Sequence, residues 1–216
     1  MVRYNEWAMN LFLKGFGRPV EGSTRVLDFG AGLGTLSKIF YRKTGVKPDA
    51  VEIDPNQRSE TARQGFPTYA SLADAPSGYD LIFTSNVLEH IEDDEGVLKT
   101  LRERLKNNGI LLIYVPAFEF LWTSMDDKVG HVRRYHRKDL RDRLQKAGYE
   151  ILHISYRDSL GFFLSILFKF IGSKQGNLPL RSLYIYDRFL LPISRIIDVA
   201  LSRFFGKNLF VVARKN

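Results

Sequence analysis

The sequence predicts an α/β protein built as a sandwich around a mostly parallel sheet. From Thr24 to about Asp158, short β-rich runs alternate with longer helical runs. Several of the β-rich runs are apolar along their whole length, as strands covered on both faces should be. At 216 residues with 44% hydrophobic content, the chain has the length and the apolar material of one ordinary domain. We therefore expect a single domain over residues 1–216.

Seven β-rich runs and the helical runs between them give the expected order of elements. Strands are predicted at Thr24–Phe29, Asp49–Ile53, Pro67–Ala70, Tyr79–Ser85, Gly109–Val115, Tyr149–Arg157 and Asn208–Ala213. Helices are predicted at Thr35–Tyr41, Asp94–Lys106 and Arg137–Lys146. Asn107-Asn108-Gly109 is the stop signal of the second helix, and Gly148 follows the third.

Residues 159–207 form a long insertion between the last two predicted strands. Leu160–Ile171 is almost wholly apolar, and Ile193–Phe205 repeats the pattern more weakly, so both stretches are predicted helices. The insertion has seven Lys or Arg and two Asp, which supplies +5 of the net charge of +8. Such basic, apolar helices either contact an anionic membrane surface or pack over the sheet edge or in a homodimer.

Composition excludes several classes of chemistry. There is no cysteine, which rules out disulfide scaffolds, thiolate metal sites and cysteine nucleophiles. The net charge of +8 favours anionic partners such as nucleic acid, anionic lipid or phosphate-bearing small molecules. No apolar run approaches the ~20 residues of a spanning helix, and residues 1–22 lack the features of a signal peptide. We expect a cytoplasmic protein, with peripheral attachment to a membrane if the insertion contacts lipid.

A glycine-rich turn follows the first predicted strand. Gly30, Gly32 and Gly34 are spaced G-x-G-x-G, which differs from the dinucleotide pattern G-x-G-x-x-G. A strand that ends in such a turn and opens a helix lets a ligand approach the backbone and its free amide groups. Asp28 stands ahead of the first glycine, where a carboxylate repels a pyrophosphate but attracts an ammonium group.

The second strand ends on acidic residues. Glu52 and Asp54 flank Ile53 there, and an acidic side chain at this place can accept both hydroxyls of a ribose. The alternative for Glu52 is a solvated strand end. An amino acid group at Asp28 and a ribose at Glu52 together describe S-adenosylmethionine.

On these residues the chain resembles the class I S-adenosylmethionine-dependent methyltransferases. Residues 79–83 look like the family's fourth strand, residues 85–91 like the segment beneath the methyl donor, and residues 105–112 like its helix, turn and fifth strand. The resemblance covers about Val26–Val115 and returns in the last two strands. It implies a Rossmann-like class I methyltransferase fold, with a seven-stranded mostly parallel sheet, helices on both faces and a helical insertion before the last strand.

The resemblance also implies a donor site and a cofactor, S-adenosylmethionine. Asp28 and the glycine loop would hold the methionine part, and Glu52 the ribose. Where the family often has an aspartate near the adenine amine, this chain has Ser71-Leu72. The expected donor-binding residues are Asp28, Gly30, Ala31, Gly32, Gly34, Glu52, Ile53, Asp54, Ser71, Leu72 and Asn86.

Acceptor groups are expected in the stretch after the fifth strand, from Pro116 to Leu140, which is dense in aromatic and charged residues. Gly130–Tyr135 resembles a stretch in methyltransferases for lipid-linked, glycan and small-molecule acceptors. His131 is the candidate base, with a structural role as the alternative, and Tyr135 would orient the base or the acceptor. Trp122, Arg133 and Arg134 are the candidate acceptor-binding residues, a guanidinium fork being suited to phosphate or carboxylate. No metal site is expected, and His90 is interpreted as a packing residue.

The amino-terminal region, residues 1–22, is expected to contain a helix from Tyr4 to Phe16 that caps the donor pocket. Tyr4 and Trp7 would then either close over the ligand or pack as core aromatics. The function expected is methyl transfer to oxygen or nitrogen of a small or lipid-like, anionic acceptor. The alternatives are a nucleic-acid methyltransferase, which the lack of a proline pair after Asn86 disfavours, and a non-catalytic domain of this fold that binds a membrane or a partner.

Overall fold

The computed structural model describes residues 1–171 and 180–216, and its strands form one seven-stranded sheet in the order β3-β2-β1-β4-β5-β7-β6. β1 to β5 run parallel to one another, whereas β7 is antiparallel to both β5 and β6. The expected fold class is therefore confirmed. The strands are β1 Val26–Phe29, β2 Asp49–Val51, β3 Thr68–Tyr69, β4 Tyr79–Ser85, β5 Leu105–Pro116, β6 Tyr149–Arg157 and β7 Asn208–Lys215.

Helices connect the strands and cover the sheet. The α-helices of the described residues are α1 Val2–Phe16, α2 Thr35–Thr44, α3 Pro55–Arg63, α4 Asp94–Arg104, α5 Ser124–Val129, α6 Arg137–Lys146, α7 Ser159–Ile171, α8 Leu180–Ile185 and α9 Leu191–Leu201. Short 3-10 turns lie at Leu88–His90 and Glu119–Leu121, and a π-helical turn at Tyr186–Leu190 joins α8 to α9. Part of the predicted insertion, residues 172–179, lies outside the described residues.

Two differences from the sequence prediction have a clear structural cause. α4 ends at Arg104 rather than Lys106, because Leu105 already pairs with Tyr79 of β4 and the backbone N–H of Gly78 bonds to the Arg104 carbonyl. In the stretch after β5, where no helix was predicted before Arg137, the structure has α5, which begins with a capping box between Thr123 and Asp126.

Apolar residues fill both sides of the sheet, as the run of buried strand residues predicted. On one side, Leu98 of α4 and Leu140 of α6 pack on β4 and β5. On the other side, Phe12 of α1 packs on Phe83, which also stacks on Phe40 of α2. α1 is therefore a core helix on the sheet face, with Trp7 buried and the Tyr4 hydroxyl hydrogen-bonded to that of Tyr114 at 2.7 Å. Of the two interpretations of these aromatic residues, packing is the one observed.

Two buried aspartates fasten the insertion to the end of β6. Asp198 of α9 accepts hydrogen bonds from the backbone N–H of Asp158 at 2.9 Å and of Ser159 at 2.8 Å. Asp158 has a φ of +65° and accepts from the hydroxyls of Tyr186 and Ser194. The carboxylates pair the backbone donors at the start of α7, and so they fix where the insertion leaves the sheet.

Replacing Asp198 by Ala is expected to destabilise the protein. Alanine leaves two buried N–H groups without acceptors, and hydrogen bonds to a charged group contribute about 1.5–3 kcal/mol each. The free energy of unfolding, measured by urea denaturation, should fall by at least about 3 kcal/mol. The matched control is Asp142→Ala, on the exposed face of α6, which should change little. Equal stability of the two variants would contradict this role of Asp198.

Candidate active site

The candidate site lies at the edge of the sheet where the parallel strands end. The register places Phe29 of β1 beside Val51 of β2 and Thr84 of β4, and Ser85 beside Tyr114 of β5. The turns after β1, β2, β4 and β5 therefore meet at one edge, which is where open α/β sheets bind ligands. Most of the residues predicted from the sequence follow these four strands.

The turn after β1 requires glycine. Gly30, Gly32 and Gly34 all have positive φ values, of 77°, 56° and 73°. A Cβ atom on Gly30 would lie 2.2 Å from the Cγ2 atom of Val87, in the segment after β4. The hydroxyl of Thr61 on α3 donates to the Gly32 carbonyl at 2.9 Å and braces the turn from behind. The turn is thus a rigid cradle of bare backbone, as a ligand that approaches the main chain needs.

One expectation about this turn is wrong. The amides of the four predicted loop residues are not free, because neighbouring parts of the protein already accept their hydrogen bonds. Gly30 and Ala31 donate to the Val51 carbonyl, at 2.9 and 3.0 Å, and Gly34 donates to Ala31. Gly32 donates to Oε2 of Glu52 at 2.7 Å. The turn therefore lets a ligand lie close against the backbone, but it does not provide these four amides as hydrogen-bond donors.

Asp28 lies in the middle of β1 and is buried. Its carboxylate accepts a 2.7 Å hydrogen bond from the Ser37 hydroxyl of α2. Burial raises the pKa of Asp28 to about 7, with the Ser37 contacts acting in the opposite direction. A carboxylate held in this way gains by meeting a cationic group, which would remove the cost of its burial.

The titration of Asp28 predicts how stability changes with pH. Because the native pKa is about 7 and the unfolded value is about 3.9, the native state holds a proton that the unfolded chain has lost between these limits. Stability attributable to Asp28 is therefore highest near pH 4 and falls as the pH rises through 7. Asp28→Asn, which cannot ionise, should melt at a higher temperature than wild type at pH 8, and this difference should shrink towards pH 4. A difference that does not change with pH would contradict the prediction.

Glu52 follows β2 and is nearly buried, so it is not a solvated strand end. One carboxylate oxygen accepts from Gly32, as described above, and the other accepts from the Asp54 backbone N–H at 2.9 Å. Asp54 itself caps α3 by accepting from the N–H groups of Asn56 and Gln57. Ile53 between them is 85% exposed, an apolar side chain in solvent beside the cradle.

The remaining predicted donor residues are spread around the same edge. Asn86 is exposed with a φ of +54°, and Leu72 is buried in the core. The Ser71 hydroxyl donates to the Asp74 carboxylate at 2.8 Å. An acidic side chain therefore lies beside Ser71, three residues further along the chain.

The stretch after β5 is organised by the buried carboxylate of Asp126. It accepts from Nδ1 of His131 at 2.7 Å and from two nitrogens of the Arg134 guanidinium, at 2.8 and 2.9 Å. These contacts hold the pKa of Asp126 well below its usual range, against the effect of burial. Asp126 therefore stays ionised and fixes the His131 tautomer with its hydrogen on Nδ1.

A second buried carboxylate, Asp94 at the start of α4, organises the other side of this stretch. It lies 2.7 Å from the Tyr135 hydroxyl and 2.9 Å from the Arg133 guanidinium. Tyr135 is buried, and burial raises the pKa of its hydroxyl above its usual range. Its bond to Asp94 ties this stretch to α4, and a role in orienting the base or the acceptor stays a prediction. Binding of an acceptor anion by Arg133 and Arg134 stays a prediction. The ion pairs that both arginines already make do not favour it.

The segment after β4 brings two residues that the sequence prediction did not use. Glu89 is 0% exposed, and neither of its carboxylate oxygens has a hydrogen-bond partner among the described residues. Burial raises the pKa of Glu89 to about 8. Its Oε1 atom lies 3.7 Å from Nε2 of His131, and the His90 and His131 rings meet edge to face at 4.7 Å. Only the fold could reveal this, since 40 residues separate the two histidines.

Aromatic residues connect this stretch to the insertion. Phe118 stacks on Tyr156 of β6 at 4.7 Å and meets Phe162 of α7 at 5.5 Å. Lys169 of α7 donates to the Phe120 carbonyl at 2.6 Å. Trp122 donates to Asp127, with its ring 6.4 Å from that of His131. The stretch after β5 is therefore bounded by the first helix of the insertion.

Comparisons with known proteins point to one family. A family profile described as "Methyltransferase domain" matches residues 4–154. A ubiquinone biosynthesis O-methyltransferase of Azorhizobium caulinodans is 32% identical over 110 residues, which span 44% of this chain and 41% of that relative. A methyltransferase dependent on S-adenosylmethionine from Archaeoglobus fulgidus superposes with a TM-score of 0.64 at 15% identity, over 100% of this chain and 95% of that one. Phosphoethanolamine N-methyltransferase 2 of Haemonchus contortus, solved with S-adenosylmethionine, gives 0.63 at 18% identity, over 96% and 52%.

Proposed function

Because the chain belongs to the methyltransferase-domain family, we propose that it transfers a methyl group from S-adenosylmethionine to a small, lipid-like acceptor, at an oxygen or nitrogen atom. Oxygen is favoured, since the curated relatives are O-methyltransferases. The observation that carries the lipid-like part is the insertion, which borders the acceptor side and presents apolar and basic side chains to solvent.

The residues at the sheet edge fit the methyl donor. The positive-φ cradle at Gly30–Gly34 accommodates a ligand against the backbone, and Asp28 beside it offers a buried carboxylate to an ammonium group. Glu52 would take the ribose hydroxyls, while Ile53 and the Ser71 turn would border the adenine. When bound, S-adenosylmethionine supplies a methyl group on a sulfonium for an in-line displacement. The protein's part is to orient that ligand and the acceptor and to exclude water.

In this proposal His131 is the general base that accepts the proton of the acceptor. Asp126 holds the hydrogen on Nδ1, so the lone pair is on Nε2, on the side of the ring that faces Glu89. Nε2 is therefore the atom that acts on an acceptor hydroxyl, and Asp126 is a positioning residue that stabilises the resulting charge.

The surface of the insertion fits a lipid-like acceptor or the membrane that holds it. Ile193, Ile196 and Val199 follow one another at three-residue spacing on α9 and are 48%, 74% and 87% exposed. Arg195 and Arg203 are exposed in the same region. An apolar face bordered by arginine is typical of helices that lie in the interface of an anionic membrane. No helix among residues 1–171 and 180–216 is long and apolar enough to span one.

The prediction for this surface is binding to anionic vesicles. The protein should sediment with phosphatidylglycerol-containing liposomes at low salt, because each Lys or Arg near such a surface contributes about 1 kcal/mol. Combined charge reversal by Arg195→Glu and Arg203→Glu should weaken binding by at least ~10-fold, with Lys169→Glu adding to the effect. Arg141→Glu, exposed on α6, is the matched control. Wild-type protein that stays in the supernatant would make the insertion a packing or homodimer surface.

The experiment that tests the function itself uses donor with an isotopically labelled methyl group. The protein is incubated with this donor and with two acceptor pools, a detergent-dispersed lipid extract and an aqueous metabolite extract. We expect label in the product of the lipid pool, absent from a Glu52→Ala control. Label only in the aqueous pool would refute the lipid-like acceptor, and no label in either pool would refute the enzyme activity.

A further inference from the structure

A cluster of three side chains at the acceptor side has the composition of a metal site. Glu89 and His90 come from the segment after β4, and His131 comes from the stretch after β5. One donor atom from each of these residues lies within 4.8 Å of the donor atoms of the other two. The three residues thus converge from two separate parts of the sheet edge.

Both imidazoles are set up to offer a lone pair. Nδ1 of His131 is 2.7 Å from Asp126, and Nδ1 of His90 is 3.1 Å from the Gly130 carbonyl. An oxygen acceptor at each Nδ1 keeps the hydrogen there, which leaves each Nε2 without a hydrogen. Histidines that bind metals commonly use this arrangement, with a carboxylate or a carbonyl fixing the ring from behind.

Glu89 supplies the independent observation. Its carboxylate is fully buried and both oxygens lack a hydrogen-bond donor among the described residues, a costly arrangement for a native protein. Arg134 does not neutralise it by a hydrogen bond, because two nitrogens of its guanidinium bond Asp126 and the third bonds the Ala117 carbonyl. A cation shared with the two imidazoles would satisfy the orphaned oxygens.

We propose that Glu89, His90 and His131 bind a divalent transition-metal cation. Two imidazoles and one carboxylate suit Zn²⁺, Co²⁺, Mn²⁺ or Fe²⁺, whereas Mg²⁺ and Ca²⁺ prefer oxygen ligands. Three protein ligands leave coordination positions open on the cation. The site rests on the proposed function and deepens it. With Nε2 of His131 bound to the cation, the cation would replace that nitrogen as the group that activates the acceptor, because a hydroxyl coordinated there loses its proton to solvent more readily.

The test is a titration of the full chain, stripped with a chelator, with Co²⁺, followed by its visible absorption. We expect about one Co²⁺ per chain, displaced by Zn²⁺ but not by a matching concentration of Mg²⁺. His90→Asn and Glu89→Gln should each weaken binding at least ~100-fold, because losing a ligand costs more than the 10–100-fold of an outer-shell partner. His90 is exposed, so its variant should fold normally. His153→Asn, exposed on β6, is the matched control and should bind as wild type.

Two outcomes overturn the site: Co²⁺ binding that is unchanged in His90→Asn, or Mg²⁺ that displaces Co²⁺ equally well. Calorimetry with S-adenosylmethionine on the same metal-free samples separates the two proposals. Donor binding that persists in every variant while Co²⁺ binding is lost supports the metal site. If the wild-type protein does not bind the donor, the proposed function is refuted, whereas the conclusion from Co²⁺ binding about the metal site is unaffected.

Discussion

Replacing Glu52 by Gln is expected to weaken the binding of S-adenosylmethionine by about 100-fold or more. The two oxygens of Glu52 accept from the backbone N–H groups of Gly32 and Asp54, at 2.7 and 2.9 Å. Glutamine puts an NH₂ group against one of these donors and removes a charged acceptor for the ribose. Hydrogen bonds to a charged group contribute about 1.5–3 kcal/mol each. Weakening the bonds from the two ribose hydroxyls to Glu52 therefore accounts for the expected loss of affinity. Isothermal titration calorimetry measures the dissociation constant directly.

The matched control for Glu52 is Glu103→Gln, on the exposed side of α4, which should bind the donor as wild type does. Asp28→Asn is a companion variant that should raise stability and lower donor affinity, because it removes the buried charge. It should be more stable than wild type at pH 8 and yet lose donor binding. If Glu52→Gln and Asp28→Asn both bind the donor normally, the assignment of this pocket is wrong.

His131→Gln is expected to lower kcat by about 10²–10⁴-fold while the dissociation constant of the donor stays unchanged. This range is typical of a side chain that handles a proton in the transition state. Glutamine can keep a hydrogen bond to Asp126, so the loop should hold, but it brings no basic nitrogen to the position of Nε2. The comparison requires single-turnover rates at saturating donor, together with calorimetry and a thermal melt.

For His131, the control variant is His153→Gln, which lies on β6 outside the stretch after β5. It should retain the wild-type rate. A His131→Gln enzyme that turns over at the wild-type rate would assign His131 a purely structural role through Asp126. A His131→Gln variant with a much lower melting temperature would instead have lost the structure of the loop. The thermal melt and the donor titration together distinguish this case from a loss of the base.

The backbone of the glycine turn and the end of β2 could be predicted from the sequence because local rules govern them. A glycine turn that directly follows a buried strand leaves few backbone conformations, so Gly30, Gly32 and Gly34 could be placed from spacing alone. Glu52 ends the adjacent strand, and parallel strands bring their carboxyl ends together. The amides of the turn could not be predicted, because their acceptors, Val51 and Glu52, are neighbours only in the folded sheet.

The acceptor side was harder because its contacts join distant parts of the chain. Arg134 was predicted to bind the acceptor and Tyr135 to orient the base or the acceptor, and the fold pairs these two side chains with Asp126 and Asp94. Glu89 reads as an ordinary polar residue, and only the tertiary structure shows that its carboxylate is buried and faces His131. The position of α1 could not be predicted either, because the sequence of an amphipathic helix does not determine which surface the helix packs against.

The central claim is that Asp28 with the glycine turn, and Glu52 at the end of β2, hold the two ends of S-adenosylmethionine. The most direct measurement is a crystal structure of the protein soaked with S-adenosylhomocysteine, the demethylated product. The account predicts density along the turn, with the amino group towards Asp28 and the ribose hydroxyls on Glu52. Crystals that leave the turn empty at saturating ligand, or that bind a nicotinamide dinucleotide there instead, would contradict it.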